Sequence, residues 1–294
     1  MYLRWHVAAA FVLLLAVLGC DSADSRPSPV CESPSAPPLT HFNRAAAGTI
    51  RGRVRWTGEI PVVPPLEVWS LLLQPDGSRE RWLVPNPNAP LIDGPGGGVG
   101  NAVVFLRGVD PAEARPWDHD PVRIELRDRQ IRVFQGAAEG RTGFVQRGSR
   151  VEMISRDPCF HSLHAAGAAF FTLAFPDPHD ACVRSLDDPG VVELSSASGL
   201  FAMRAYLFVD DHPYYTRTGP RGTFVLPQVP AGRYEVVCWL PSWVEAGRER
   251  DPETNLVSRL FFRPPLERVQ VVTVAPGTDA EIDWEISADD FSRS

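Results

Sequence analysis

A chain of 294 residues with 44% hydrophobic and 10% aromatic content has the apolar material for one large or two ordinary domains. Its formal net charge is −7, arginine supplies every basic residue, and no basic run occurs, which argues against nucleic acid as a partner. Five cysteines without a Cys-x-x-Cys spacing give little support to a structural zinc or thioredoxin-like site.

The first nineteen residues read as a targeting segment. Arg4 is the positive n-region, and Val7 to Leu18 form an apolar run too short to span a membrane stably. The run ends in Val17-Leu18-Gly19-Cys20, which resembles the bacterial lipobox. That resemblance implies lipidation at Cys20, cleavage before it, and a body held at the cell envelope, in the periplasm or outside the cell. Residues 20–47 are rich in Ser, Pro, Ala and Asp without hydrophobic periodicity, the composition of a flexible tether.

Beyond the tether the pattern has a period of two. Ile50, Gly52, Val54 and Trp56 alternate with Thr49, Arg51, Arg53 and Arg55, which predicts a half-buried strand with a charged outer face. Gly94 to Gly100 lacks the Gly-Lys-Ser/Thr ending of a phosphate loop and is followed by a strand. Asn101 to Leu106 is more continuously apolar, as in a sandwich-core strand, whereas Val122, Ile124 and Leu126 alternate with Arg123, Glu125 and Arg127. Further strands are predicted at 151–154, 168–174, 204–209, 223–226, 234–240 and 282–286, separated by Gly- and Pro-rich turns. The fold class is all-β, of the sandwich type.

After Cys20 four cysteines remain, and an oxidising compartment favours disulfides among them. Cys159 and Cys182 both lie in turn-rich sequence and are the expected pair. Cys238, inside the strand-like run Tyr234 to Trp239, reads as a buried thiol.

Two family resemblances overlap the body. Gly48 to Gly58, Asn101 to Leu106, Gly222-x-Phe224, Pro230-Ala-Gly232-x-Tyr234 and Ala275-Pro-Gly277 resemble a carboxypeptidase regulatory-like domain, a transthyretin-like sandwich of the carbohydrate-binding-like fold group. Between its halves, Ser155-Arg-Asp157, His161, His164, Met203 and Asp211-His-Pro-Tyr-Tyr215 resemble a cupredoxin. The resemblances imply a cupredoxin-like sandwich (113–209) inserted in a regulatory-like one (48–112 and 210–290), as in bacterial envelope proteins that join both modules.

Matched position by position, His161 falls on the first histidine of a cupredoxin copper site and Met203 on its axial thioether. The thiolate position falls on Ala197 and the second histidine on Leu200, neither of which binds copper. His161, His164 and Met203 are the candidate metal ligands that remain. No nucleophile elbow or metalloprotease motif occurs, so no catalytic residue is assigned. Trp243, near Pro241, is a candidate exposed aromatic platform. The expectation is a non-enzymatic, lipid-anchored scaffold or binding module, with carbohydrate or protein as the partner that the regulatory-like resemblance implies, and no cofactor. The alternative is a copper-binding or electron-transfer protein with a rearranged ligand set.

Overall fold

The computed structural model describes residues 41–292 other than Pro95, without the side chains of Leu71 and Leu72. The signal segment, the Cys20 lipidation position and Cys31 lie outside the described residues. No helix among the described residues is long and apolar enough to cross a membrane.

The first strands are β1 (Gly48–Trp56), β2 (Leu66–Leu73), β3 (Arg79–Val84), β4 (Leu91–Ile92), β5 (Val99–Gly100) and β6 (Val103–Arg107). Ten follow: β7 (Val122–Arg127), β8 (Gln130–Gln135), β9 (Ala138–Gly140), β10 (Thr142–Gln146), β11 (Arg150–Ser155), β12 (His161–Gly167), β13 (Phe171–Phe175), β14 (Ala181–Ser185), β15 (Gly190–Ser196) and β16 (Arg204–Asp210). The last are β17 (Tyr215–Arg217), β18 (Thr223–Val229), β19 (Gly232–Leu240), β20 (Glu245–Arg250), β21 (Val257–Phe262), β22 (Leu266–Val274) and β23 (Ala280–Ile286).

These strands build two β-sandwiches, one inserted in the other. The outer sandwich pairs a sheet of order β18-β1-β23 with one of order β17-β6-β19-β22. The inner one, made wholly of β7 to β16, pairs β10-β16-β15-β12-β13 with β14-β11-β7-β8-β9. In β1 the alternation sorts the two faces as expected: Ile50, Val54 and Trp56 enter the outer core while Arg51 and Arg55 face solvent. Gly222 has φ +78°, and a Cβ there would lie 2.1 Å from the Val54 carbonyl oxygen, so the turn before β18 needs a residue without a side chain.

The two sandwiches are packed on each other. Along β19, Tyr234, Val236, Cys238 and Leu240 enter the outer core, while Val237 and Trp239 point the other way. In β6, Val104 and Leu106 face the outer core, and Val103 and Phe105 face its opposite side. Phe144, Tyr206 and Phe208 of the inner sandwich meet that second face. Strands β6, β16 and β19 are therefore buried on both sides, which is why their sequences run apolar instead of alternating. The order through the molecule is three-stranded sheet, four-stranded sheet, then the two five-stranded sheets.

The strands differ from the expected ones in three places. The strand expected at 168–174 is β13, beginning at Phe171, because β12 ends at Gly167, a residue at φ +96°. The segment holding His161 and His164 is a strand from its first histidine onward. Hairpins β2–β3 and β20–β21 lie outside the strands predicted from periodicity. They pack Val68 and Leu260 around Phe201, closing one end of the inner sandwich.

Candidate functional site

The loop from β11 to β12 is built around Asp157. Its Oδ1 accepts the Asp128 amide at 2.8 Å and its Oδ2 accepts the Arg129 amide at 3.0 Å. Those two residues form the β7–β8 turn with φ of 54° and 55°, a type I′ geometry. Asp157 Oδ2 also lies 2.9 Å from His161 Nε2. Burial raises the Asp157 pKa, but the amides of Arg129 and Asp128 and the His161 ring outweigh it and hold the carboxyl below its usual value. The carboxylate thus accepts Nε2–H, and His161 Nδ1 is left buried without a hydrogen-bond partner among the described residues. Cys159 Sγ stands 3.6 Å from the same Nε2.

The predicted ligands are not brought together. His161 and His164 are three apart on one strand and so project from opposite faces of β12. His161 points inward at 1% exposure, whereas His164 faces outward, with Nδ1 3.1 Å from Thr172 Oγ1 and its ring edge-on to Phe170 at 5.3 Å. The three-ligand set of His161, His164 and Met203 is corrected accordingly. Met203 is 2% exposed and belongs to the inner core. Its loop runs beside β12, where the Ala197 amide donates to the Ser162 carbonyl at 2.7 Å.

A type-1 copper does not fit this end of the sandwich. Such a centre needs a thiolate and two imidazoles, and among the described residues no second imidazole joins Cys159 and His161; Ala197 and Leu200, which the resemblance sets at the central ligand positions, donate nothing. Leu200 instead packs between the inner core and the apolar cluster under the two hairpins, and Phe201 beside it is 5% exposed.

Two further expectations are corrected. Cys159 and Cys182 are not bonded to each other, and both are free thiols among the described residues. Cys182 sits opposite Met153 in the β11–β14 ladder and packs on the inner core, while Cys159 lies exposed in the loop beside His161. Iodoacetamide labelling of the native chain in the presence of a chelator, followed by peptide mass mapping, should find both thiols alkylated and unlinked. Cys238, 1% exposed and pushed up to about 12 by burial, should be labelled only after unfolding. A linked peptide pair would contradict the free thiols. Trp243 is no exposed platform. It packs against Trp56 at 5.9 Å and Phe291 at 4.1 Å, since the turn after β19 folds it onto the outer core.

A second site carries no sequence motif. Where the two sandwiches meet, the packed aromatic cluster opens into a cleft of about 450 Å3. One wall is the outward face of β12, β15 and β16, with His164, Glu193, Arg204 and Tyr206; the other includes Arg259 and Phe261. Arg204 is 8% exposed, ion-paired to Glu193 and bonded to the Leu260 carbonyl, and burial lowers its pKa. Tyr206 donates to Asn88 Oδ1 at 3.1 Å, and burial raises its phenol. Burial, then the charges of Arg259 and Arg204, depress the His164 pKa and favour its neutral imidazole. Phe261 is 36% exposed, with the Arg259 guanidinium 5.0 Å from its ring centre. The one local hint is an arginine, Arg204, opening an otherwise apolar strand.

No protein-family model matches the chain, and no curated protein matches it. Among solved structures it is similar to a purple cupredoxin from Nitrosopumilus maritimus, at 12% identity over 30% of this chain and 98% of that one, with a TM-score of 0.24. It is similar to the reduced state of an amicyanin mutant, at 16% identity over 31% of this chain and 82% of that one, TM-score 0.24. A second amicyanin mutant, in its oxidised state, gives 17% identity, 36% and 98% coverage, and a TM-score of 0.25.

Proposed function

We propose that this chain is a non-enzymatic, lipid-anchored envelope protein that binds a glycan in the cleft between its two sandwiches. On this reading the outer sandwich is regulatory-like, and the inner one is a cupredoxin-like frame kept as a wall of the cleft. The observation that carries the proposal is the cleft's composition. An exposed ring, Phe261, offers a face for a sugar's C–H surface, and Glu193, Arg204 and Arg259 offer hydrogen bonds to hydroxyls. The alternative, copper held by a rearranged set, has against it the opposite directions of His161 and His164.

Screening the full chain on a glycan array is the test. A bound oligosaccharide should lose about fivefold in affinity on Phe261→Ala, the loss of one stacking contact of roughly 1 kcal/mol. A blank array, or binding indifferent to Phe261→Ala, would remove the glycan reading and leave a protein partner to be sought.

A further inference from the structure

Asp157, Cys159 and His161 converge in a way that their separate structural roles do not explain. Their carboxylate oxygen, sulfur and ring nitrogen all lie within 4.8 Å of one another. They alternate in sequence as Asp-x-Cys-x-His, a spacing without the Cys-x-x-Cys signature of familiar zinc sites. Both Asp157 Oδ2 and Cys159 Sγ approach the same atom, His161 Nε2, at 2.9 and 3.6 Å. That excludes a nucleophilic triad, in which nucleophile and carboxylate use opposite nitrogens of the ring. One ring N–H cannot serve both neighbours, but a metal ion between the three could.

We propose that Asp157, Cys159 and His161 form a zinc(II) site at the rim of the inner sandwich, with water as the fourth ligand. Tetrahedral zinc with Zn–N near ~2.0 Å and Zn–S near ~2.3 Å implies an N···S edge of about 3.5 Å and an N···O edge of about 3.3 Å. The observed separations, 3.6 and 2.9 Å, lie within a few tenths of an ångström of those edges. Mixed oxygen, sulfur and nitrogen donors suit a borderline ion that undergoes no redox change. Copper(II) would instead oxidise an exposed thiol.

The protons balance. Cys159 loses its S–H proton to solvent as sulfur takes the ion, and the His161 proton moves from Nε2 to Nδ1, so one proton leaves per zinc bound. Nδ1 has no hydrogen bond to lose in that shift. The Asp128 and Arg129 amides stay on the carboxylate as its outer support. Cys159 is exposed, which gives the ion its path in. This site is independent of the glycan cleft, which faces the other side of β12.

The test is cobalt(II) titration of the full chain, stripped of metal and kept reduced with a phosphine. We expect one cobalt per chain, with a thiolate-to-cobalt charge-transfer band that zinc(II) removes by competition. Cys159→Ser should abolish the band and weaken zinc binding more than about 100-fold. The position is exposed, so this variant keeps its fold, whereas His161→Ala removes a residue at 1% exposure and is not decisive. Cys182→Ser should leave the band unchanged. The proposal is overturned by the absence of a charge-transfer band at millimolar cobalt, and equally by a band that survives Cys159→Ser.

Discussion

Trp239→Ala should lower the stability of the chain by about 3–5 kcal/mol and split its unfolding into two transitions. Trp239 is 2% exposed and stands at the centre of the contact between the sandwiches. Its ring meets Tyr206 at 5.0 Å and Phe208 at 5.1 Å, both edge to face, and each such pair contributes roughly 0.5–1.5 kcal/mol beyond burial. It also lines the cleft, so truncation enlarges a space that already opens to water. Tyr206 and Phe208 lie on an inner-sandwich strand, while Val103, Phe105 and Val237 lie on outer-sandwich strands. Loosening this contact therefore weakens the coupling between two cores that are each closed on themselves. Calorimetry should show the midpoint falling by about 10 °C, with two resolved peaks. Leu207→Ala is the contrast: Leu207 points from the strand of Tyr206 and Phe208 into the inner core, so it should lower stability without separating the transitions. A single, unshifted transition in Trp239→Ala would show that the two sandwiches do not rely on this residue.

The same strands explain what can be read in advance. The two-residue alternation of Ile50, Val54 and Trp56 against Arg51 and Arg55 is a one-sided strand, and that is how it folds. The unbroken apolar run at Asn101 to Leu106 carries information about two buried faces, although not about which partner covers each. His161 and His164 illustrate the opposite case. Their spacing invites pairing as ligands only if the chain there is a loop or a helix. Once a strand begins at His161, a separation of three sends them apart, and nothing local in Cys159 to His164 announces that start. The cleft is invisible in sequence for a different reason. Glu193 and Arg204 lie on two inner-sandwich strands and Arg259 and Phe261 on the hairpin strand β21, and no motif spans such a set. Hairpin β20–β21 escapes periodicity because Glu245 to Arg250 is largely charged and exposed, and its burial is confined to the end where Leu260 meets Phe201.

Asp157→Ala should cost about 3–5 kcal/mol, a large effect for a loop residue, because one carboxylate satisfies three donors. Its loss strands the amides of Asp128 and Arg129 and the His161 Nε2–H, and it frees a turn whose two non-glycine residues are held at positive φ. Asp157→Asn keeps an acceptor oxygen in place and should cost less, about 1–2 kcal/mol. The carboxyl is held below its ordinary value of 3.8 in the folded chain, against its own burial, by the Arg129 and Asp128 amides and by His161. A depressed carboxyl stabilises the fold at pH values above its unfolded pKa, and that contribution is lost as pH falls through the folded pKa. The stability gap between the native chain and Asp157→Asn should therefore be constant from about pH 5 to 7 and shrink below about pH 4. Urea titrations across that range, run with a chelator so that no bound ion adds to stability, measure the gap directly. A gap that widened toward low pH would mean that the carboxyl is raised by its burial, and that the turn is held by something other than its charge.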